Sequence, residues 1–586
     1  MTQKMKCSDF IAKKISNYTN HIFSGQGGSV VHILDSLSKI KKIKIIPSQN
    51  EQGASLAADA YSRTTNKIGV VIATSGPGIL NAIQGMACSY YDSIPALYIS
   101  GAPVTSALKK NKKLRQLGFQ EMEIKDIVRS ITKYSVRITD TNLMNYEIEK
   151  CISIATSGRP GPVLIDLPDD IQRSVLNLKK QKKFLKKKIQ YKINSNQIVK
   201  LKNLIKNSKK PLIIIGNGVK ISKTSEAIKK IINKYKIPFS TTWATTDLFN
   251  SGHPLNAGSF GVYATRYGNF AVQNSDLLII IGSRLNGTHI GTAKLFSPKS
   301  KRILIDIDKN ELNEENQVKI HLKINSDIKE IVKKKYLDSF KYAKVSPRWL
   351  LAIKKWKEKY PIVSKKFYEE KNFTNPYVFF ERLSKYTKKK DILIPDASAN
   401  LVWFYQAYKP KSEQNIFTAL NHSPMGYSIA AAIGACLGAK KNQNIIASIG
   451  DGSVQMNVQE IENIKNFNLP IKIFILDNSG YGMVKQTIDV WLNKNYVGCD
   501  RESGLSIPNF IKIFKAYGIR SVEIKNNKEI DQKLKFVMKF NGPIMCNVKI
   551  SEDARIIPKT KPGDPLHDML PKLTSSEISH AMSFSN

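Results

Sequence analysis

Long apolar runs are missing from this chain of 586 residues. No stretch approaches the ~18 residues that a membrane-crossing helix needs. The N-terminus, MTQKMKCSDFIAKKISNY, mixes charge with helical apolar spacing and lacks the apolar block of a signal peptide. Cysteine is scarce: the six residues Cys7, Cys88, Cys151, Cys436, Cys499 and Cys546 lie far apart, without a CxxC or zinc spacing. Scattered thiols in a chain of this size suit a reducing compartment, and the expectation is a cytoplasmic protein. No short-period repeat is visible.

Acidic residues are also few, 47 against 91 Lys and Arg, for a net charge of +44. A field of that size attracts polyanions. Yet the excess is Lys spread along the whole chain among Ile and Asn, a pattern of surface composition. The one dense run, KKQKKFLKKK at 179–188, carries no interleaved aromatics and reads as a solvated linker. No nucleic-acid-binding module is recognisable, so neither a nucleic-acid nor a membrane partner is expected.

What the chain does have is 42% hydrophobic content and short apolar strands alternating with helical patterns. That argues for an α/β class of doubly wound parallel sheets. At ~150 residues per domain the length suggests three or four units. The first spans 1–175 and ends in SGRPGPVLIDLPDDIQ. A Lys-rich linker covers 176–200. A central domain covers 201–345, with buried-strand runs in KKPLIIIGNGV, DLLIIIGSRLNG and RILIDIDKNEL. A polar helical connector takes 346–375 (SPRWLLAIKKWKEKY), and the third domain with its tail takes 376–586.

The chemistry concentrates in 450–482. Asp451 ends the apolar run IIASIG in a turn flanked by Gly450 and Gly452. Asn478 follows the next apolar run 27 positions later. Two oxygen ligands at the ends of neighbouring strands can hold a small hard cation, with glycines letting a phosphate approach the backbone. Mg²⁺ fits, since it prefers a few protein oxygens plus phosphate oxygens. The bland alternative is a strand–turn–helix without a ligand. Upstream, 45–81 reads IIPSQNEQGASLAADAYSRTTNKIGVVIATSGPGILN. A strand leads to Glu51, then come an Ala-rich helix, a second strand and the turn Ser75-Gly76-Pro77-Gly78. Open α/β sheets bind ligands at such carboxyl ends. Glu51 is alternatively a surface residue capping the helix that follows it.

The Gly-Asp-Gly to Asn spacing with its GYGM continuation resembles the thiamine diphosphate (ThDP) signature. Asp477 stands where that signature has its first Asn. With NEQGASLAADAYSR, TSGPG, LGFQE, SGRPGPV, SPMGYSIAAAIGA and IGDGSVQMNVQE, the whole chain resembles the acetohydroxyacid (acetolactate) synthase branch of the ThDP enzymes. The resemblance implies pyrimidine-binding, central and diphosphate-binding domains, in that order. It implies Mg²⁺ held by Asp451, Asn478 and the Gly480 carbonyl, and Glu51 at the aminopyrimidine N1′. It further implies cofactor contacts from Gly76, Pro77, Gly78, Ser398, Gly450, Gly452, Ser453 and Met483, and a buttress from Met425, which otherwise reads as gap-filling core. Phe119, Gln120, Gln486 and Thr487 match positions lining the substrate pocket, although a polar loop explains Gln120 as well. Gly216, Gly218 and Arg284 match turns that hold FAD in some members, or are ordinary strand-to-helix turns.

The implied activity is decarboxylation of a 2-oxo acid, most simply pyruvate, and ligation of the two-carbon unit to a second 2-oxo acid, as in branched-chain amino acid biosynthesis. A homodimer with active sites between subunits is implied, a tetramer and a regulatory small subunit remaining open. Several positions depart from the pattern: Asn50 replaces His, Thr487 replaces a Trp that selects the acceptor, and Ser398-Ala399-Asn400 replaces Gly-Gln-His. The tail KPGDPLHDMLPKL, with LRQLGFQE and GSRLNG, resembles a sub-branch associated with surface polysaccharides, in which the acceptor would be a keto-sugar nucleotide. A catalytically altered cofactor-binding subunit and a polyanion-binding protein are the remaining alternatives. Intact Glu51, Asp451 and Asn478 weigh against the first of these.

Overall fold

Runs such as Gly69–Ala73 (GVVIA), Leu277–Ile281 (LLIII) and Ile471–Asp477 (IKIFILD) are buried along their whole length. Strands covered on both faces read this way when they sit in parallel sheets between layers of helix. The computed structural model describes residues 4–111, 113–186, 189–313 and 318–583, and it places these runs in three six-stranded parallel sheets. The α/β doubly wound class expected from the sequence is what the chain adopts. Residues 187–188, the end of the Lys-rich run, lie outside the described residues.

In chain order, the first sheet contains His21–Ser24, Lys44–Pro47, Gly69–Ala73, Ala96–Ala102, Tyr134–Arg137 and Pro162–Pro168. The third contains Ile392–Pro395, Asn415–Ile416, Ile445–Gly450, Ile471–Asp477, Arg520–Ile524 and Ile544–Lys549. Numbered within each sheet, both have the spatial order 2-1-3-4-6-5. The central sheet, from Pro211–Ile215 to Leu322–Asn325, has the order 3-2-1-4-5-6, the arrangement of dinucleotide-binding folds. The first and third domains thus repeat one topology, and the middle domain differs.

Four helices matter below: α1 (Glu51–Thr65), α2 (Pro347–Lys359), α3 (Tyr427–Gly438) and α4 (Gly482–Trp491). Helix α1 starts because Asn50, in extended conformation, accepts the Gln52 N–H at 2.8 Å through its side chain, satisfying one of the orphan donors of the first turn. Its Gly53, Ala54, Ala57 and Ala58 are buried. Small residues let backbones approach, and Gly434 of α3 takes that to the limit: a Cβ there would lie 1.8 Å from the Ala57 carbonyl oxygen. This helix pair joins the first domain to the third.

The polar connector expected at 346–375 is partly core. Trp349, Ala352, Ile353 and Trp356 of α2 are buried, and the Trp349 indole N–H donates to the Pro211 carbonyl of the central sheet. The C-terminal tail likewise leaves the third domain for the central one. Leu566 is buried there, Asn269 donates to its carbonyl at 2.8 Å, and Arg266 donates to that of Pro571 at 2.7 Å. Among the described residues, no helix is long and apolar enough to cross a membrane.

Candidate functional site

Glu51 is the first residue of α1, at the carboxyl end of the first sheet. Gly25, following strand His21–Ser24, lets it lie there: a Cβ on Gly25 would be 2.2 Å from Glu51 Cγ and 2.6 Å from Oε1. Asn81 donates to Oε2 at 3.1 Å. Oε1, between Gly25 and Gly78, takes no donor among the described residues. The turn holding Gly76, Pro77 and Gly78 packs beside it, Gly76 adopting a positive φ of 62°. A Cβ on Gly76 would meet the Gln120 carbonyl at 2.9 Å, so the Phe119-Gln120 loop borders the same opening. Phe119 is 86% exposed.

The second cluster lies at the carboxyl end of the third sheet. Asp451 is buried; its Oδ1 accepts the Gly452 N–H at 2.6 Å, and its Oδ2 accepts those of Asn478 at 3.0 Å and Gly480 at 3.2 Å. Burial, followed by the neighbouring Asp477 carboxylate, pushes its pKa up to about 7. A carboxyl group so placed gains most from a cation that would hold it ionised. Asn478 keeps a buried side-chain nitrogen with no acceptor; a buried donor of this kind points to a missing acceptor such as a phosphate oxygen, while the amide oxygen is the atom a cation would take. No group of three or more His, Cys, Asp or Glu forms a metal cluster among the described residues. A cation here would have to rest on one carboxylate with amide and backbone carbonyl oxygens.

Met425 joins this cluster through its neighbour. Gly426, at φ 84°, would place a Cβ 2.7 Å from Met456 Cβ and 3.1 Å from the Ser453 carbonyl. Asp396, missed by the sequence reading, fixes that turn by accepting the N–H groups of Gly426 (3.1 Å) and Ser428 (2.7 Å). Ser398, two residues on, is exposed at the same edge with φ 63°. Gly450 leaves its face open, its nearest neighbour being Ser453 Oγ at 4.0 Å, whereas the face of Gly452 is filled by the Tyr481 ring at 2.2 Å. In α4, Met483 is half-buried and Thr487 is exposed. Gln486 has both ends of its amide committed to the Ile556 backbone, each at 2.9 Å.

Among the described residues, no hydrogen bond or ion pair joins Gly216, Gly218 or Arg284 to Glu51, Asp451 or Asn478. A Cβ on Gly216 would fall 2.2 Å from the Gly282 carbonyl, and one on Gly218 would fall 2.7 Å from Gly282 Cα. These glycines therefore let two strand-end loops pack against each other. Arg284 is exposed and donates to Asn421 Oδ1 at 2.7 Å.

Among the described residues, no hydrogen bond or ion pair joins Glu51 to Asp451, Asn478 or Gly480. What links the two domains lies behind them. Glu460, buried, accepts the Asn50 N–H at 3.1 Å, and Gly53 makes room for its carboxyl group. Arg63, buried in α1, pairs with Asp59 (2.7 Å) and Asp92 (2.9 Å) and donates to the Thr418 carbonyl; the Tyr427 hydroxyl donates to Asp59 at 2.6 Å. Asp92 also accepts the Leu420 and Asn421 N–H groups. Sequence reading missed these residues, and the glycine in the first turn of α1 was the one visible signal.

Comparison with known proteins agrees with this geometry. Family models for the thiamine pyrophosphate enzymes match in three pieces: the N-terminal TPP-binding domain over residues 5–127, the central domain over 198–335 and the C-terminal TPP-binding domain over 396–548. Among relatives, the acetolactate synthase large subunit of Porphyra purpurea is 34% identical, over 93% of this chain and 91% of its own length. The large subunit of Buchnera aphidicola from Schizaphis graminum is 31% identical over 95% and 97%. That of Lactococcus lactis is 30% identical over 92% of each.

Proposed function

Because this chain belongs to the thiamine pyrophosphate enzymes, as an acetolactate synthase-like carboligase, we propose that its two clusters are the two halves of a ThDP·Mg²⁺ site acting on pyruvate. The observation that carries this is the Asp451 turn: a buried carboxylate with a raised pKa, ringed by three backbone N–H groups, one of them that of Asn478, whose side-chain nitrogen lacks an acceptor. Asp451, Asn478 and the Gly480 carbonyl would hold Mg²⁺ on the diphosphate, with Gly450, Ser453 and Ser398 along it. Bound there, ThDP supplies an electron sink for decarboxylation and the nucleophilic carbon for ligation. Glu51 would share a proton with the pyrimidine nitrogen of the cofactor through Oε1, with Asn81 fixing Oε2. Met425 buttresses the cofactor, and Phe119 with Gln120 closes the substrate side. Gln486 orients α4 through Ile556.

The half-sites are open in one chain, and both have apolar rims. Leu117 and Phe119 are exposed in the loop whose Gln120 meets Gly76, and Trp491, Leu492 and Val497 are exposed between α4 and Cys499, which packs on Gly480. This supports a homodimer in which Glu51 of one copy completes the metal half of the other. FAD rests on the central strand order alone, since Gly216 and Gly218 form no open cradle, and no step is assigned to it. Flavin absorbance in the purified protein would reinstate it.

A specific feature favours a second acceptor. Thr487 is exposed with no bulky side chain, and the loop before Phe119 presents Lys110, Lys113 and Arg115, exposed and without carboxylate partners among the described residues. That rim suits a phosphate-bearing keto-sugar nucleotide. The deciding assay supplies purified protein with pyruvate, ThDP and Mg²⁺ and follows pyruvate loss and acetolactate together. Robust acetolactate supports the first reading. Turnover only when a keto-sugar nucleotide is added supports the second, and no turnover with either overturns both.

A further inference from the structure

The turn carrying Asn478 and Gly480 is held from two sides. Inside, Asp451 accepts the N–H groups of residues 478 and 480. Outside, the carbonyl of Cys499 accepts the Tyr481 N–H at 2.9 Å and lies 2.6 Å from where a Gly480 Cβ would be. Nothing but backbone separates the loop around Cys499 from the proposed metal ligand. The position of that loop therefore sets the position of the Gly480 carbonyl.

The loop has few apolar anchors of its own, since Leu492 and Val497 are exposed. It is fixed by charge. Arg555, in the segment after the last strand of the third sheet, donates through Nε to Asp489 Oδ2 at 2.7 Å and through Nη2 to the Tyr496 hydroxyl at 3.0 Å. Tyr496 closes the ring by donating to Asp489 Oδ1 at 2.7 Å. One guanidinium thus ties α4, which follows the metal turn, to the loop that covers it. A second tie, Lys485 to Asp500 at 3.2 Å, sits one residue past Cys499. Arg suits the first place because its planar fork makes two fixed bonds where an ammonium makes one flexible contact.

We propose that Arg555, acting through Asp489 and Tyr496, is a positioning residue for the Mg²⁺-binding turn. The inference rests on the site proposed above. Partners behind the ligands of a metal commonly govern its affinity by about 10–100-fold.

The test uses full-length protein and reads the Mg²⁺ concentration needed for half-maximal ThDP binding, by titration calorimetry without substrate. Arg555→Met should raise that midpoint about tenfold or more. Tyr496→Phe, a milder change that keeps the ring packed, should shift it the same way by less. Saturating Mg²⁺ should restore turnover in both, and the melting midpoint without metal should match that of wild type. An unchanged Mg²⁺ midpoint in both variants, or a loss of turnover that Mg²⁺ does not lift, overturns the role of Arg555. Absence of Mg²⁺-dependent ThDP binding in wild type overturns the site itself, so the two failures are distinguishable.

Discussion

Replacing Glu51 and its neighbour Gly25 separately tests chemistry and placement at one atom. Glu51→Gln keeps the shape and can still accept from Asn81, whose amide now sits 3.1 Å from Oε2. It loses the proton that the carboxyl group would share, and general acid–base roles are worth about 10²–10⁴-fold. Gly25→Ala leaves Glu51 chemically intact. Its new methyl would lie 2.2 Å from Glu51 Cγ, so the side chain must retreat by more than about 1 Å to reach van der Waals contact. A displacement of that size can cost about 10²-fold. The assay is steady-state pyruvate consumption at saturating ThDP and Mg²⁺, with ThDP affinity measured alongside. Both variants should bind ThDP and turn over slowly, and Gly25→Ala should lie between wild type and Glu51→Gln. Wild-type turnover in Glu51→Gln would refute the proton role. Wild-type turnover in Gly25→Ala would show that the carboxyl position here is not the working one.

Other perturbations separate metal, scaffold and pH effects. Asp451→Ala should abolish Mg²⁺-dependent retention of ThDP on gel filtration, and because it strips the acceptor from the N–H groups of Gly452, Asn478 and Gly480 it should also cost some thermal stability without metal; unchanged retention would place the metal elsewhere. Asp92→Ala leaves the buried Arg63 guanidinium with one carboxylate and strips an acceptor from Leu420 and Asn421; a cost of about 3–5 kcal/mol is expected in denaturant unfolding, and less than about 1 kcal/mol would mean the network carries little of the domain joint. Burial first, then Lys44 and Lys67, lowers the His21 pKa to about 4. A depressed histidine contributes stability that is full above its ordinary value near ~6.5 and is lost as pH falls through about 4; wild type should therefore lose more stability across that window than His21→Gln, and parallel curves would refute the assignment.

The fold class was legible because each parallel strand is a short apolar block with turn residues after it, and both faces are buried. Strand order was not, since nothing local to LLIII or IKIFILD says which neighbour it pairs with. The topology shared by the first and third domains escaped notice for the same reason: a 2-1-3-4-6-5 order is a property of pairing and leaves no periodic signal. At the site, Glu51, Asp451 and Asn478 could be picked out because they stand at strand ends beside glycines. Glu460, Asp396 and Arg555 could not, because each acts on a partner 30 to several hundred positions away through backbone N–H groups or a salt bridge. Gly216 and Gly218 were open to two readings, an FAD-holding turn or an ordinary strand-to-helix turn. Their pattern suits a phosphate cradle, yet the absent side chains make room for Gly282.

The departure at Asp477 shows how an altered signature can keep its geometry. The carboxylate is buried next to Asp451 and raises that residue's pKa, which by itself would disfavour two ionised groups. Its Oδ2, however, accepts from Lys549 at 2.8 Å and from Asn547 at 3.0 Å. Residues 477 and 549 end adjacent parallel strands in register, so the lysine arrives by strand pairing, without a dedicated loop. The pair should then behave as a unit. Lys549→Met removes the partner of a buried carboxylate; because the lysine is partly exposed, the loss should fall near about 1–3 kcal/mol. Asp477→Asn should be mild alone, and in the Lys549→Met background it should recover most of the lost stability, a coupling of the kind that contacting residues show. Denaturant midpoints of the four proteins measure it. Strict additivity would mean that Lys549 does not neutralise Asp477, and that the Asp451 turn tolerates its neighbour's charge by some other route.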